Sequence, residues 1–586
     1  MMKKIQRIIW VILAGSSLAF SQIEQESIDV EKSYNPAVQD VEKLDENPEF
    51  DNEVEKNKLE VNYSPINIPI KSDYKLSSIN PVKLPVKDDY TLYNSYLKGG
   101  IGLPMTTLLD AYIDYEYDRN KHFGVFAHHF KTDLDIDHAR VDDDQAQNSL
   151  ELFYKANYDD LATKLTLGYD VSSYNYYGIG DITNVLGVSS ADQIYNTIET
   201  QNNYHTAYLN FGLDGYENRI FDNSDLLIRY FKGDFNAKEI YARLDTDLAH
   251  DGKRHSMPLN SIYFRGNANL NLEYINTDFN ESTFGSNTKA GFFKATLEPV
   301  MTITNDVNYI KLGFDLTYNS DYENNQNDFY LYPEIEAMIR PVDEFNIYAG
   351  INGGMKNNTY YDLVQTNPWI TPGISLRSTN TRYNIYGGVK GVFKDVFQYK
   401  GEISYASIED FMMMANVPIE TQTIIPTYRL ENSFGTLYGD TKNLAMKGEL
   451  NYVGFDRLTT TLAIAFYNYN VEGVDEAWNY PDLTSTFTAE YTLLDNKLVV
   501  GTDIFYVGER KDLAYDYSTG TALANGKRVL DGYLDMNLRG NYNINNRWGT
   551  FLKLNNIFGE YEKFKNYNVQ GFQVLGGITY KFSINR

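Results

Sequence analysis

His122, His128, His129 and His138 fall close together in the sequence and are interleaved with Asp133, Asp135 and Asp137. Imidazoles and carboxylates are the ligand types a divalent cation would take. In an extended segment His129, Lys131, Asp133, Asp135 and Asp137 share one face, and His128 and His138 take the other. A site built from His129, Asp133 and Asp135 would have the Lys131 ammonium among its ligands, at loose spacing. The stretch therefore reads as polar wall residues and not as a metal centre. Asp142-Asp143-Asp144 lacks the glycine and the terminal glutamate of a calcium loop, so a solvated acidic loop is expected there. Serines, histidines and acids are all abundant, yet no G-x-S-x-G nucleophile motif occurs and alternation scatters the histidines over both faces. The chain is not read as an enzyme, and no cofactor site is read in it.

The composition limits the remaining function classes. A formal charge of -27 disfavours nucleic acid, whose phosphates ask for a basic patch. There are no cysteines, which excludes disulfides, thiolate metal sites, thiol catalysis and a lipid-anchored cysteine terminus. With Tyr 50, Phe 31 and a mean hydropathy of -0.44, the chain favours strands yet is polar on average. A wall greasy on one side and wet on the other has that composition. No apolar run of ~18 residues follows the start, so no transmembrane helix is expected.

The elements that would position these side chains are alternating segments. In 109–118 the odd positions Leu109, Ala111, Ile113, Tyr115 and Tyr117 oppose Asp110, Tyr112, Asp114, Glu116 and Asp118. In 309–319 Ile310, Leu312, Phe314 and Leu316 alternate with Lys311, Asp315 and Thr317; in 382–394 Ile385, Val389 and Phe393 alternate with Asn384, Lys390 and Lys394. Similar runs fall at 461–469, 485–493 and 533–542. Asp110, Asp114, Glu116, Asp315 and Lys390 are thereby candidates for the wet, lumen-facing side of a barrel. Short turns are expected at Asp118-Arg119-Asn120, Pro341-Val342-Asp343, Asp495-Asn496 and Asn545-Asn546, and long outward loops at 176–203, 409–426 and 511–529. Met412-Met413-Met414 is expected to fold over the mouth or pack on a partner. Trp478 and Tyr480 read as anchors at the bilayer interface. About 490 residues, at roughly 20–23 per strand and connection, give about 22 strands, an even number as single-chain barrels prefer.

The closing strand has Phe572, Val574, Gly576, Ile578, Tyr580 and Phe582 on one face and Gln573, Thr579 and Lys581 on the other. Its length suits a tilted transmembrane strand of about 9–11 residues. Hydrocarbon leaves no open edge tolerable, so the sheet must close on itself. Asn556-Ile557-Phe558, Tyr561, Gly571-Phe572, Gly576 and this aromatic run resemble the C-terminal end of TonB-dependent receptor barrels, with the tail Ser583-Ile584-Asn585-Arg586 as a departure. The stretch SYNPAVQD, the proline-spaced strip, Leu92-Tyr93 and Gly99-Gly100 resemble the start of receptor-like barrels of Bacteroidota type. The resemblance implies an outer-membrane location, solute transport, contact with lipid and lipopolysaccharide, and the barrel assembly machinery as a partner.

At the other end, Lys3, Lys4 and Arg7 precede an apolar stretch and Ala19-Phe20-Ser21, the pattern of a cleaved export signal over residues 1–21. Residues 22–90 are acidic, then spaced by Pro65, Pro69, Pro81 and Pro85, which keeps the chain extended and out of a sheet interior. The segment is too acidic and proline-spaced to form the folded plug that such receptors carry, and no energy-coupling box is read. The expected architecture is all-β: one large antiparallel transmembrane β-barrel over 91–586, without a plug. Two functions follow: transport of a solute across the outer membrane, or a plugless structural or assembly subunit that docks envelope partners through residues 22–90.

Overall fold

The computed structural model describes residues 93–584, save 138, 181, 183–187, 216–220, 251–261, 280–288, 306, 420–428, 456 and 517–522. The expectations for residues 1–92 lie outside the described residues. Within them the chain forms a 22-stranded sheet in which each strand pairs antiparallel with the next. The first strand, Ser95–Leu103, pairs along its whole length with the last, Gln573–Phe582. That pairing closes the barrel and leaves no edge, as a lipid-embedded sheet requires. No helix among the described residues is long and apolar enough to cross a membrane.

The alternating segments all become strands: Thr106–Asp118, Tyr309–Asp321, Ser378–Phe393, Leu458–Glu472, Leu483–Leu493 and Tyr533–Asn543. Their apolar positions form the outer surface; Leu109 is 56% exposed and Ile578 56%, whereas Asp110 and Asp315 on the other face are 4% and 8% exposed. The short turns fall where expected, at 119–120, 343–344, 494–497 and 544–547. All lie at the end of the barrel that carries Ser95 and Phe582.

The opposite end is built differently from the expectation. The strand Phe397–Asn416 runs through the methionines, so 409–416 is wall and not loop. A register shift between Ile408 and Phe411, with Asp410 at φ 47°, breaks the alternation there, which is why the pattern stops short. Its neighbour Phe434–Phe455 has 22 residues, against 8 in Trp548–Asn555, so the wall is much taller on one side than on the other. Segment 511–529 belongs mostly to a separate hairpin, Arg510–Asp516 with Leu523–Leu530. Segment 176–203 contains helix α1 (Val188–Tyr195), and the loop after the strand Phe345–Asn357 contains helix α2 (Tyr360–Thr366).

Candidate functional site: an inner wall under a roof of loops

The inner wall is charged and tyrosine-rich, and its tyrosines lie flat. Opposite Phe153, position 124 is glycine; a Cβ there would fall 1.9 Å from the Phe153 ring. Gly168 makes the same room for Tyr208, at 2.1 Å. Rings that lie across the neighbouring strand place their hydroxyls on carboxylates of nearby strands. Tyr208 donates to Glu151 at 2.8 Å, Tyr348 to Glu402 at 2.8 Å, Tyr241 to Glu273 at 3.2 Å, and Tyr386 to Glu336 at 2.8 Å.

The sequence candidates take distinct places on this wall. Asp110 is held between Lys98 at 3.2 Å and His128 at 2.6 Å, so its charge is matched internally. Asp114 meets His122 at 3.2 Å, Asp315 accepts from Thr317 at 2.6 Å, and the Lys390 ammonium lies 5.3 Å from the Tyr348 ring centre. Glu116 is exposed near the strand end. His129 faces away from His122 and His128, between Asn148 at 2.7 Å and Thr107 at 3.2 Å. Asp133 and Asp135 lie past the strand end at Thr132, and His138 lies outside the described residues. Among the described residues no three metal-ligating side chains come together.

Of the closing-strand residues, Phe572 precedes the strand, while Val574, Ile578, Tyr580 and Phe582 share its outer face. The opposite face is less polar than its alternation suggested, because Leu575, 1% exposed, packs with Leu108 and Phe551. Beyond the strand, Ile584 bridges to Tyr115, so the extra tail continues onto the wall.

Two expectations are corrected. Trp478 is not exposed to lipid: at 4% exposure it packs on Met413 and Ala415 of the wall strand, and Tyr480 donates to the Met412 carbonyl at 3.0 Å. Burial pushes the Tyr480 phenol up to about 12. The exposed tryptophan near the short-turn end is Trp548, 43% exposed beside Tyr580. The acidic loop is only partly solvated. Asp143 is buried and accepts from the Ile136 N–H at 2.8 Å, and Asp144 accepts from Asn175 and pairs with Lys131. Burial raises the Asp143 carboxyl above its ordinary range, with Asp133 and Asp135 adding to the effect.

The largest apolar core among the described residues is a roof at the long-loop end, and sequence reasoning missed it. Tyr177 in loop 176–200, Trp369 in loop 358–377 and Tyr567 in loop 556–572 come together there. These loops leave the wall roughly a third of the circuit apart, so their tips can meet only over the lumen. The Trp369 and Tyr567 rings stack with centroids 3.7 Å apart, and Tyr177 meets Tyr567 edge-on at 4.9 Å. Their polar atoms are satisfied across loops: Trp369 Nε1 donates to the Asn175 carbonyl at 2.9 Å, Tyr567 to that of Asn432 at 2.6 Å, and Tyr177 to that of Asn568 at 2.8 Å. Met414 joins this core from the top of the wall.

The roof is fastened to the wall and at its rim. Glu239, fully buried, accepts from the N–H of Tyr360 at the start of α2 at 2.6 Å and from Thr277 at 2.9 Å, with Arg229 3.6 Å away. The Arg229 guanidinium lies 3.6 Å from the Tyr361 ring centre. At the rim, Glu476 pairs with Lys511 and Lys527, Arg528 with Glu562, and Lys565 with Glu431. The arrangement sets a charged, tyrosine-rich inner wall beneath a packed core of loops.

Solved structures share this architecture. The FrpB iron transporter from Neisseria meningitidis aligns with a TM-score of 0.61 at 10% identity, covering 84% of this chain and 82% of that one. The siderophore receptor PirA from Acinetobacter baumannii gives 0.58 at 11%, covering 83% and 80%. A mutant of the ferric enterobactin receptor PfeA from Pseudomonas aeruginosa, in complex with enterobactin, gives 0.56 at 11%, covering 83% and 81%. This is a closed 22-stranded β-barrel of the receptor type. At such identities the likeness is one of fold. Neither a protein-family model nor a curated protein matches the chain.

Proposed function

We propose that the chain is a TonB-dependent-receptor-like barrel that takes part in moving a solute across the outer membrane, with the loop roof as its outer closure. The observation that carries this reading is the pairing of a charged, tyrosine-lined inner wall with a roof whose loops meet over it. A wall built only for structure would gain nothing from keeping its rings flat and its carboxylates inward. In this reading Asp114, Glu116 and Asp315 line the route and favour cations, with Lys390 as a counter-charge, and lumen charge is what sets such preferences. Residues 1–21 are the export signal, 22–90 an extended periplasmic segment and 91–586 the barrel, which works without a separately folded plug. Contacts with lipopolysaccharide and the barrel assembly machinery belong to the same proposal.

A second reading has one observation in its favour. The roof has a buried aromatic core like that of a soluble domain, which suits a barrel that stays shut and serves as an assembly subunit docking partners through residues 22–90. Liposome swelling separates the two. In proteoliposomes of a variant with 358–377 replaced by a short Gly-Ser turn, transport predicts influx of small cationic solutes faster than anionic ones. The preference should shrink in the same background with Asp315→Asn. Absence of influx from both supports the sealed subunit.

A further inference from the structure

On the outer surface, level with the roof, a row of lysines forms no ion pair among the described residues. Lys232 and Lys238 are direct cross-strand partners, Lys238 faces Asp278 in the next strand, and Asp278 faces Lys289 in the one after. The three lysines are exposed, and none forms an ion pair among the described residues. Like charges directly opposite on a sheet are destabilising. In a chain of formal charge -27 the acids to relieve them are plentiful. Elsewhere on the same outer surface they are used: Lys131 pairs with Asp144 at 2.5 Å and Lys442 with Glu472 at 2.9 Å. Here the single carboxylate of Asp278 faces two ammonium groups. On the left, His205 is the cross-strand partner of Lys232 and is 3.8 Å from Asp234.

The height of the row fixes what meets it. Phe231, Ala237, Phe279 and Ala290, the inward neighbours of these positions, belong to the roof core. Below the row on the outer face come Tyr230 at 43% exposure and Ile240 at 47%, and, one row further down past Asn276 and Gly291, Tyr274 at 40% and Phe293 at 37%. These lysines thus sit at the upper margin of an apolar, aromatic belt. Long connections mark the outward end of such barrels, so this margin meets the outer leaflet. Lysine ammonium groups bind phosphate as point charges, and each adds to attraction for an anionic lipid surface.

We propose that Lys232, Lys238 and Lys289 hold the phosphorylated headgroup of an outer-leaflet lipid, whose acyl chains lie against Tyr230, Ile240 and Tyr274. The site rests on the lipopolysaccharide contact proposed above, which it assigns to named residues, and is independent of what the lumen carries. The test uses the full chain in a neutral detergent and follows bound lipid by native mass spectrometry. The probes are a diphosphorylated lipid A, its dephosphorylated form and inorganic phosphate. The parent protein should retain the phosphorylated lipid at least about tenfold better than the variant Lys232→Gln/Lys238→Gln/Lys289→Gln. A triple Lys→Arg variant should match the parent, and the dephosphorylated lipid should bind parent and Gln variant alike. Heat-modifiable gel mobility verifies that each variant is a folded barrel. Unchanged retention by a folded Gln variant overturns the site, and so does displacement of the lipid by inorganic phosphate at equal concentration.

Discussion

Phe153 lies against the wall because residue 124 has no side chain. The ring also stacks on Tyr112 at 5.5 Å, so a Cβ at 124 would disturb a row of rings and not one contact. Gly124→Val is expected to destabilise the barrel by about 1–3 kcal/mol, the usual cost of forcing extra volume into a packed site. Gly99 has nothing within 4 Å of its would-be Cβ, so Gly99→Val should leave stability nearly unchanged. Urea unfolding of the two variants in liposomes checks the difference. At this scale the sequence showed which side chains share a strand face, since that needs only a period of two. It did not show what each residue touches. The pairing of Asp110 with Lys98 and His128 comes from neighbouring strands, and Trp478 is buried by residues more than sixty positions away.

The arm 358–377 is the element whose anchoring matters most to the roof. Its helix starts on Glu239, which also faces Arg229 in the buried wall. Removing one partner of a buried ion pair typically costs about 3–5 kcal/mol, because the other charge is left uncompensated. Glu239→Ala should therefore loosen the arm, seen as faster hydrogen exchange at the Tyr360 and Tyr361 amides while the closing strand stays protected. A pH effect belongs to the neighbouring arm 556–572. Burial, with Arg510 nearby, pushes the Lys563 ammonium down to about 8. Its folded value is below the ordinary lysine value of about 10.4, so between the two the undocked arm holds more protons. Docking should strengthen as pH rises from about 8 to about 10 and stay flat below, and Lys563→Met should abolish that slope in exchange rates at 562–568. The strands could be read from the sequence because alternation is local. The roof could not, because Trp369, Tyr567 and Tyr177 belong to loops with no period and meet only after the barrel has closed. Even the wall was cut short wherever a bulge, as at Asp410, reset the alternation.

At the scale of the whole molecule, about twenty-two strands followed from chain length and the spacing of alternating runs, and the barrel has 22. A closed cylinder with short turns at one end frees the long loops at the other, and those loops spend their apolar side chains on each other over the mouth. The lumen is therefore roofed by the same chain that walls it. Function, on this account, is controlled where Trp369 stacks on Tyr567. The most direct measurement is single-channel conductance in planar bilayers of the parent protein and of a variant carrying Trp369→Gly and Tyr567→Gly. A closing roof predicts a parent that is mostly silent with rare brief openings, and a variant that opens in long, large steps favouring cations. Equal silence from a folded variant would contradict it, and so would large steady steps from the parent.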